Sequence, residues 1–141
     1  MSDDRRDFNQ QVIEEFRAND GAVGGRFEGM PMVLVTHTGA KSGIRRTAPL
    51  VCSRDGDRVV IIASKGGAPT NPDWYHNMIA NPTVTVELPG GDTFEASVHE
   101  ATGDERDRLY AAQAAIMPFF ADYQANTERT IPVLVLTRTA S

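Results

Sequence analysis

The feature that most constrains the fold is a series of short segments in which apolar and polar residues alternate. The clearest case is residues 83–98, "TVTVELPGGDTFEASV", where two alternating segments flank a "PGGD" turn. Alternation with a period of two is typical of a strand with one buried face, and glycine tolerates the positive φ of a tight turn. This stretch is therefore predicted to form a β-hairpin.

The same pattern recurs elsewhere along the chain. "TAPLVCSR" and "RVVIIAS" flank "DGD", a second hairpin signal, while "PMVLVTHT" precedes them and "IPVLVLTR" ends the chain. Six strands are predicted in all. Because most are joined by hairpin turns and the regular α/β alternation of a Rossmann domain is missing, the residues predict a small antiparallel barrel or a strongly curled sheet.

Three helices accompany the strands. An N-terminal helix over residues 1–20 follows from apolar residues spaced to share one helical face: Phe8, Val12, Ile13 and Phe16. "NPDWYHNMIANP" predicts a short helix with Asn71 as its N-cap and Pro72 in the first helical position. "TGDERDRLYAAQAAIM" predicts another helix, with Thr102 and Glu105 at capping-box spacing. Residues 21–141 are assigned to the barrel, and the chain to a single domain.

Composition excludes several function classes. A net charge of −5 argues against a general nucleic-acid partner. The single cysteine, Cys52, permits no internal disulfide and is interpreted as a packed thiol. No signal peptide or transmembrane segment is predicted, so a cytoplasmic protein is expected. The histidines lack ligand-like spacing, so no metal site is expected, and His37 and His99 are interpreted as strand-surface residues.

The segment "TGAKSGIRR" joins two predicted strands and allows three interpretations. A phosphate-binding P-loop fits poorly, because Ala40 replaces its second glycine and a strand follows where a helix should begin. A solvated hairpin loop would use the glycines and lysine only for turn geometry and solubility. The third interpretation is an anion site, in which Lys41, Arg45 and Arg46 converge near freed backbone amides.

A second segment, "IIASKGGAPTNPDWYHN", adds to the third interpretation. A buried strand again ends in a small polar residue, a lysine and two glycines, and a helix with Trp74 and Tyr75 in its first turns follows. Helix N-termini favour anions, and paired glycines let a flat ligand approach the backbone. Two such loops in one small barrel predict a long ligand with planar and anionic parts.

Taken jointly, these segments resemble a known family. "GGRFEGMPMVLV", "TGAKSGIRRTAPL", "ASKGGAPTNPDWYHNMIANP" and "DYQANTERTIPVLVL" are similar to the deazaflavin-dependent nitroreductases, over roughly residues 20 to 138. The resemblance implies a mainly β (α+β) split β-barrel. It also implies a reductase that uses reduced coenzyme F-420, an 8-hydroxy-5-deazaflavin.

The resemblance further implies three groups of cofactor-binding residues. The first is the basic loop near the anionic tail and phosphate: Lys41, Ser42 and Arg46. The second lines the coenzyme from two strands: Thr47, Ala48, Pro49, Leu50, Val51, Ile62, Ala63, Ser64 and Lys65. The third is the helix that closes over the linker and phosphate: Asp73, Trp74, Tyr75, His76 and Asn77.

The resemblance places Ser64 and Tyr123 nearest the reacting groups, as catalytic candidates. Met117, Phe119 and Phe120, with Tyr123, are expected to line an apolar substrate pocket. Phe120 departs from the family pattern, which has a tyrosine there, so quinones or enones are expected to fit better than nitroimidazoles.

The expected reaction is hydride transfer from the reduced deazaflavin to an electron-poor apolar acceptor such as a quinone, enone or nitro compound. Two alternatives stay open: an FMN-dependent oxidoreductase of the same barrel type, and a deazaflavin carrier without catalysis. Peripheral contact with the inner membrane surface is compatible with an apolar substrate. The oligomeric state is left open.

Overall fold

The computed structural model describes residues 4–65 and 70–139, and of residues 4–7 and Arg26 only the backbone. Among these residues, seven strands form one antiparallel sheet, flanked by four α-helices. The strands are β1 (Met32–Thr38), β2 (Arg45–Val51), β3 (Ser53–Asp55), β4 (Arg58–Ile62), β5 (Thr83–Glu87), β6 (Thr93–Ala101) and β7 (Val133–Arg138). The helices are α1 (Asp4–Ala18), α2 (Asp73–Ala80), α3 (Gly103–Ile116) and α4 (Phe119–Ala125), with a 3-10 helix at Gly25–Phe27.

The order of the strands forces the sheet to curl. The order is β2-β1-β5-β6-β7-β4-β3, so β2 and β3 lie at opposite edges. These two strands are nevertheless consecutive in the chain, separated only by Cys52. Because one residue spans less than 4 Å, the two edges must adjoin at that point. The sheet therefore closes on itself as a small barrel.

The two faces of the sheet bury different clusters. The barrel interior is filled by alternate residues of the strands, and β1 supplies Val33 and Val35 while β7 supplies Leu134 and Leu136. The outer face is covered in two places: α3 and α4 pack over β4 and β7, and α1 packs over β1. Because successive side chains face the interior and the covered outer face in turn, almost every residue of β1, β4 and β7 is buried, whereas β5 and β6 keep exposed residues on their outer face.

Helix α2 closes one end of the barrel interior. Its Met78 is fully buried in the interior cluster, and Trp74 and Tyr75 pack against that cluster half-buried. The Tyr75 hydroxyl donates a hydrogen bond to Oε1 of Glu100 on β6, at 2.8 Å. Helix α2 therefore packs against β1 and β6.

The predicted fold class, a mainly β barrel of antiparallel strands, is confirmed, with two differences in detail. The single strand expected before "DGD" is broken at Cys52, which adds a seventh strand. Helix α4 was not predicted. It is separate from α3 because Pro118 disfavours helical geometry in the preceding residue, and Met117 is extended, with φ −129° and ψ 87°.

The predicted N-cap of α2 was wrong, whereas that of α3 was right in position but lacks the expected side-chain hydrogen bond. Helix α2 begins at Asp73 with Pro72 in the N-cap position, and the Asn71 side chain instead accepts a hydrogen bond from Arg129. Thr102 is the N-cap of α3, but its hydroxyl makes no capping hydrogen bond.

The expected capping partner of Thr102 binds elsewhere. Glu105 lies 3.5 Å from Nη1 of Arg58 and 3.3 Å from Nε2 of His99. Ion pairing across the sheet surface therefore replaces the capping box.

Candidate functional site

The basic loop between β1 and β2 is a closed turn. The N–H of Gly39 donates to the carbonyl of Ile44 at 2.9 Å, and the N–H of Gly43 donates to the carbonyl of Gly39 at 3.1 Å. The Ser42 hydroxyl accepts from the N–H of Ile44 at 3.1 Å. Gly43 has φ 71°, a conformation that glycine adopts without steric cost. The exposed Lys41 therefore stands on an ordered turn.

The two arginines that follow the loop point to opposite faces of the sheet. Arg46 pairs with His37 on β1, while Arg45 pairs with Thr38. Nη2 of Arg45 donates to the Thr85 hydroxyl at 2.8 Å on the outer face. Strand alternation therefore separates the two side chains, and Arg45 does not converge with Arg46 as the anion-site interpretation expected.

An asparagine of α2 ties the basic loop to the barrel. The Asn77 side-chain oxygen accepts from the N–H of Ala40 at 2.9 Å, and its Nδ2 lies 3.2 Å from Nδ1 of His37. Because Nδ2 can only donate, Nδ1 of His37 is the acceptor and the imidazole proton resides on Nε2. Burial, and secondarily the charge of Arg46, lowers the pKa of His37. His37 is only 5% exposed, so its predicted surface position was wrong.

Arg129 forms a hydrogen-bond network at the end of β4. Nη2 of Arg129 donates to the Ser64 carbonyl at 2.8 Å, and Nη1 donates to Oδ1 of Asn71 at 2.6 Å. Lys65 has φ 48°, and its ammonium lies 3.3 Å from the Thr70 hydroxyl. The Ser64 side chain is largely buried, and its hydroxyl makes no hydrogen bond with the residues that the structure describes.

Helix α2 brings the two predicted loops together. Asn71, just before the helix, contacts the β4 end through Arg129, while Asn77 contacts the basic loop. The anchors are six residues apart in the chain, and the four helical steps from Asp73 to Asn77 account for a rise of about 6 Å. Residues 66–69, which include the paired glycines of the second loop, lie outside the described residues.

The distribution of unpaired cations points to the same region. Within residues 4–65 and 70–139, five arginines form ion pairs with carboxylates: Arg17, Arg58, Arg106, Arg108 and Arg138. In the same residues, Lys41, Arg45, Arg46 and Lys65 have no carboxylate within ion-pair distance, and neither does Arg54 on β3. Four of these five cations flank the two predicted loops. No three His, Cys, Asp or Glu residues of the described chain are placed to hold a metal ion.

The strand residues assigned to the coenzyme do not share one face. Ala48 and Leu50 have the same parity as Arg46 and face the interior side, whereas Thr47, Pro49 and Val51 face outward. The Thr47 hydroxyl is hydrogen-bonded to that of Thr36 at 2.8 Å.

The partner segment at the end of β4 is almost wholly buried. Ile62 packs under α3 and α4 at 6% exposure, and Ala63 is fully buried. A ligand that reaches this segment would therefore meet Ser64 and Lys65.

The predicted pocket residues of α4 are divided between core and surface. Met117 and Phe120 are 4% and 2% exposed and pack in the cluster beneath α3 and α4, where the Tyr110 hydroxyl donates to the Phe120 carbonyl. They are core residues, which corrects their assignment as pocket walls. Phe119 and Tyr123 stay partly exposed, with ring centroids 5.4 Å apart.

Of the five helix residues assigned to the linker and phosphate, two are exposed and three contact other elements of the fold. Asp73 and His76 face solvent, Trp74 packs against the interior cluster, and Asn77 holds the basic loop. Burial, with a smaller contribution from Glu100, raises the pKa of Tyr75 to about 12, so its hydroxyl stays protonated.

Two cavities lie away from these loops. One, of about 180 Å³, separates α1 from the 3-10 helix, and the other is an open groove of about 540 Å³ between α3 and α4. Neither is lined by a residue of the two loops. The candidate site is therefore described by its side chains.

Comparison with known proteins identifies the family. The family model described as F420H(2)-dependent quinone reductase matches residues 8–138. The chain belongs to this family. It is 40% identical over 129 residues to the F420H(2)-dependent quinone reductase of Mycobacterium tuberculosis, a match that covers 87% of this chain and 85% of the relative.

Two solved structures agree with this assignment. The F420-H2 dependent reductase FDR-A is 39% identical, with a TM-score of 0.70, over 75% of this chain and 93% of that one. A protein described as a domain-swapped dimer is 34% identical, with a TM-score of 0.71, over 94% of this chain and 98% of that one. The predicted membership of the deazaflavin-dependent split-barrel oxidoreductases is confirmed.

Sequence reasoning missed two residues that organise the site. Arg129 and Gln124 both belong to the quoted segment "DYQANTERTIPVLVL" but received no role, and Gln124 Nε2 donates to the Arg129 carbonyl at 2.8 Å. Neither belongs to a spacing pattern with known chemistry. No helix among the described residues has the length and apolar character needed to cross a bilayer.

Proposed function

We propose that this chain is a coenzyme F-420-dependent reductase that acts on electron-poor apolar acceptors of the quinone class. The observation that carries the proposal is the family match over residues 8–138, supported by the 40% identity to a quinone reductase. The free cations around α2 are compatible with it, because the coenzyme combines a planar ring with an anionic tail.

The basic loop would hold the anionic part of the coenzyme. Lys41 and Arg46 make no hydrogen bond or ion pair with the part of the chain that the structure describes, so both are available to a ligand. Ser42 uses its oxygen to accept from the backbone and keeps its proton for donation. Lys65 extends the cationic surface toward the end of β4. These residues fit an anionic ligand.

The Ser64 and Tyr123 hydroxyls suit the reacting end. When bound, the reduced deazaflavin supplies a hydride. Negative charge then develops on the acceptor, and a hydroxyl without another partner can donate a hydrogen bond to it and later a proton. Within the described residues neither hydroxyl is hydrogen-bonded. The partly exposed rings of Phe119 and Tyr123, which meet edge to face at 62°, offer an apolar surface to a quinone.

A turnover assay tests this function. Purified protein, reduced coenzyme F-420 and a water-soluble quinone are mixed without oxygen, and oxidation of the coenzyme is followed by absorbance. We expect protein-dependent oxidation that requires the quinone. Binding of the coenzyme without oxidation would favour the carrier alternative, and protein-dependent quinone reduction by reduced FMN, but not by reduced coenzyme F-420, would favour the FMN alternative. Cytoplasmic location and contact with a membrane surface stay predictions.

A further inference from the structure

The guanidinium of Arg129 joins two segments that are distant from it in the chain. Nη2 donates to the Ser64 carbonyl at 2.8 Å and to the Ala63 carbonyl at 3.3 Å, while Nη1 donates to Oδ1 of Asn71 at 2.6 Å. One planar group therefore contacts both the end of β4 and the residue pair before α2. Because the fork of a guanidinium is rigid, these contacts fix the distance between the two segments.

The position of Arg129 is itself fixed by its neighbours. Gln124 Nε2 donates to the Arg129 carbonyl at 2.8 Å, and Gln124 Oε1 accepts from the N–H of Ile131 at 3.0 Å. Nη2 of Arg106 donates to the same Oε1. A glutamine of α4 thus holds the backbone directly after Arg129, on both sides of Thr130. The guanidinium is partly buried, and burial lowers its pKa without bringing an arginine near deprotonation.

We propose that Arg129 is a positioning residue, which sets Ser64 and Lys65 at the correct distance from α2 for coenzyme binding. This inference rests on the proposed function. Ser64, Lys65 and the residues of α2 belong to the predicted site, and Arg129 acts through them. Loss of its fork would let the end of β4 move relative to Asn71. A displacement of about 1 Å is enough to weaken a positioned binding group strongly.

The test uses four variants of the full chain. Arg129→Lys keeps the charge, but a single ammonium lacks the planar fork that spans both segments. Arg129→Ala removes the contacts altogether, and Asn71→Ala removes only one. Arg54→Ala is the matched control, because it deletes an exposed arginine of β3. Each variant is titrated with oxidised coenzyme F-420, and its amide hydrogen exchange is measured without coenzyme.

We expect Arg129→Ala to raise the dissociation constant at least about tenfold and Arg129→Lys to raise it nearly as much. The dissociation constant of Asn71→Ala should lie between those of the wild type and Arg129→Lys. Exchange should accelerate in peptides that cover residues 59–65 and 71–78 and stay unchanged in β5 and β6. Arg54→Ala should match the wild type in both measurements. A purely structural role would instead accelerate exchange across the whole sheet.

The remaining outcomes also decide whether Arg129 is a positioning residue. Equal dissociation constants and equal local exchange in Arg129→Lys and Arg54→Ala would overturn the proposal. If Arg129→Ala does not fold, Arg129→Lys and Asn71→Ala carry the comparison. Failure of the wild type to bind the coenzyme would refute the proposed function. The exchange data would then still show whether Arg129 fixes the two segments.

Discussion

The contact between Asn77 and His37 gives the most detailed prediction. Asn77→Ala removes the partner of the buried His37 Nδ1, which costs about 1 to 3 kcal/mol. The exposed N–H of Ala40 binds water instead, so loss of its hydrogen bond to Asn77 adds no more than about 1 kcal/mol. The better helix propensity of alanine returns about 0.5 kcal/mol. The free energy of unfolding should therefore fall by about 1 to 3 kcal/mol, as measured by urea denaturation above neutral pH.

Asn81→Ala is the control for this measurement. Asn81 also belongs to the α2 region, but it donates a single hydrogen bond of 3.3 Å to the Thr38 carbonyl. Its removal should cost less than about 1 kcal/mol. A loss for Asn77→Ala that is no larger than the loss for Asn81→Ala would refute the account of Asn77 as the residue that ties the basic loop to the barrel.

The same contact predicts a dependence on pH. The folded pKa of His37 is lowered from 6.5, so the unfolded chain binds more protons as pH falls. The contribution of His37 to stability is therefore complete above pH 6.5 and is lost as pH falls through the folded pKa. Asn77→Asp places a carboxylate beside Nδ1 and favours the protonated ring. The loss of stability between about pH 7.5 and pH 5.5 should be smaller in Asn77→Asp than in the wild type. An equal or larger loss would contradict the assignment.

Three further predictions concern single side chains. Arg46→Ala should raise the dissociation constant of coenzyme F-420 about ten- to a hundredfold, and salt should weaken binding less in this variant than in the wild type. Arg45→Ala should change the dissociation constant little. Titrations at low and high salt check this, and equal effects of the two substitutions would contradict it. Phe120→Tyr adds a hydroxyl to the packed cluster beside Tyr110, so the free energy of unfolding should fall by about 1 to 3 kcal/mol in thermal or urea unfolding. The preference for quinone over nitro acceptors should not change. The Cys52 thiol is 3% exposed and burial raises its pKa to about 11, so a maleimide at about pH 8 should label the native protein far more slowly than the unfolded chain.

Much of the fold was accessible from sequence because it depends on local pattern. Strand alternation placed Arg45 and Arg46 on opposite faces, and the "PGGD" and "DGD" turns marked both hairpins correctly. The break at Cys52 was not visible, because a strand that passes from one edge of a sheet to the other keeps its apolar pattern. Closure of the barrel is set by pairing between distant strands.

The candidate site was predictable only in part. The cations of the basic loop follow directly from the sequence, and the structure leaves Lys41 and Arg46 without partners among the described residues. His37 was misplaced because its burial depends on α2, which is remote in the chain. Phe120 was misplaced because the packing of α4 against α3 decides which aromatic ring points inward. Strand alternation does place His37 on the same face as Val33 and Val35, but it does not show that α2 covers that end of β1.

The central claim is that the coenzyme of this protein is the deazaflavin. Titration of the purified protein with coenzyme F-420 and with FMN, in the same buffer and salt, tests it most directly. We expect coenzyme F-420 to bind more tightly than FMN, and Arg46→Ala to weaken the binding of coenzyme F-420. Binding of FMN that is tighter by a factor of about ten, or about 1.4 kcal/mol, would contradict the account.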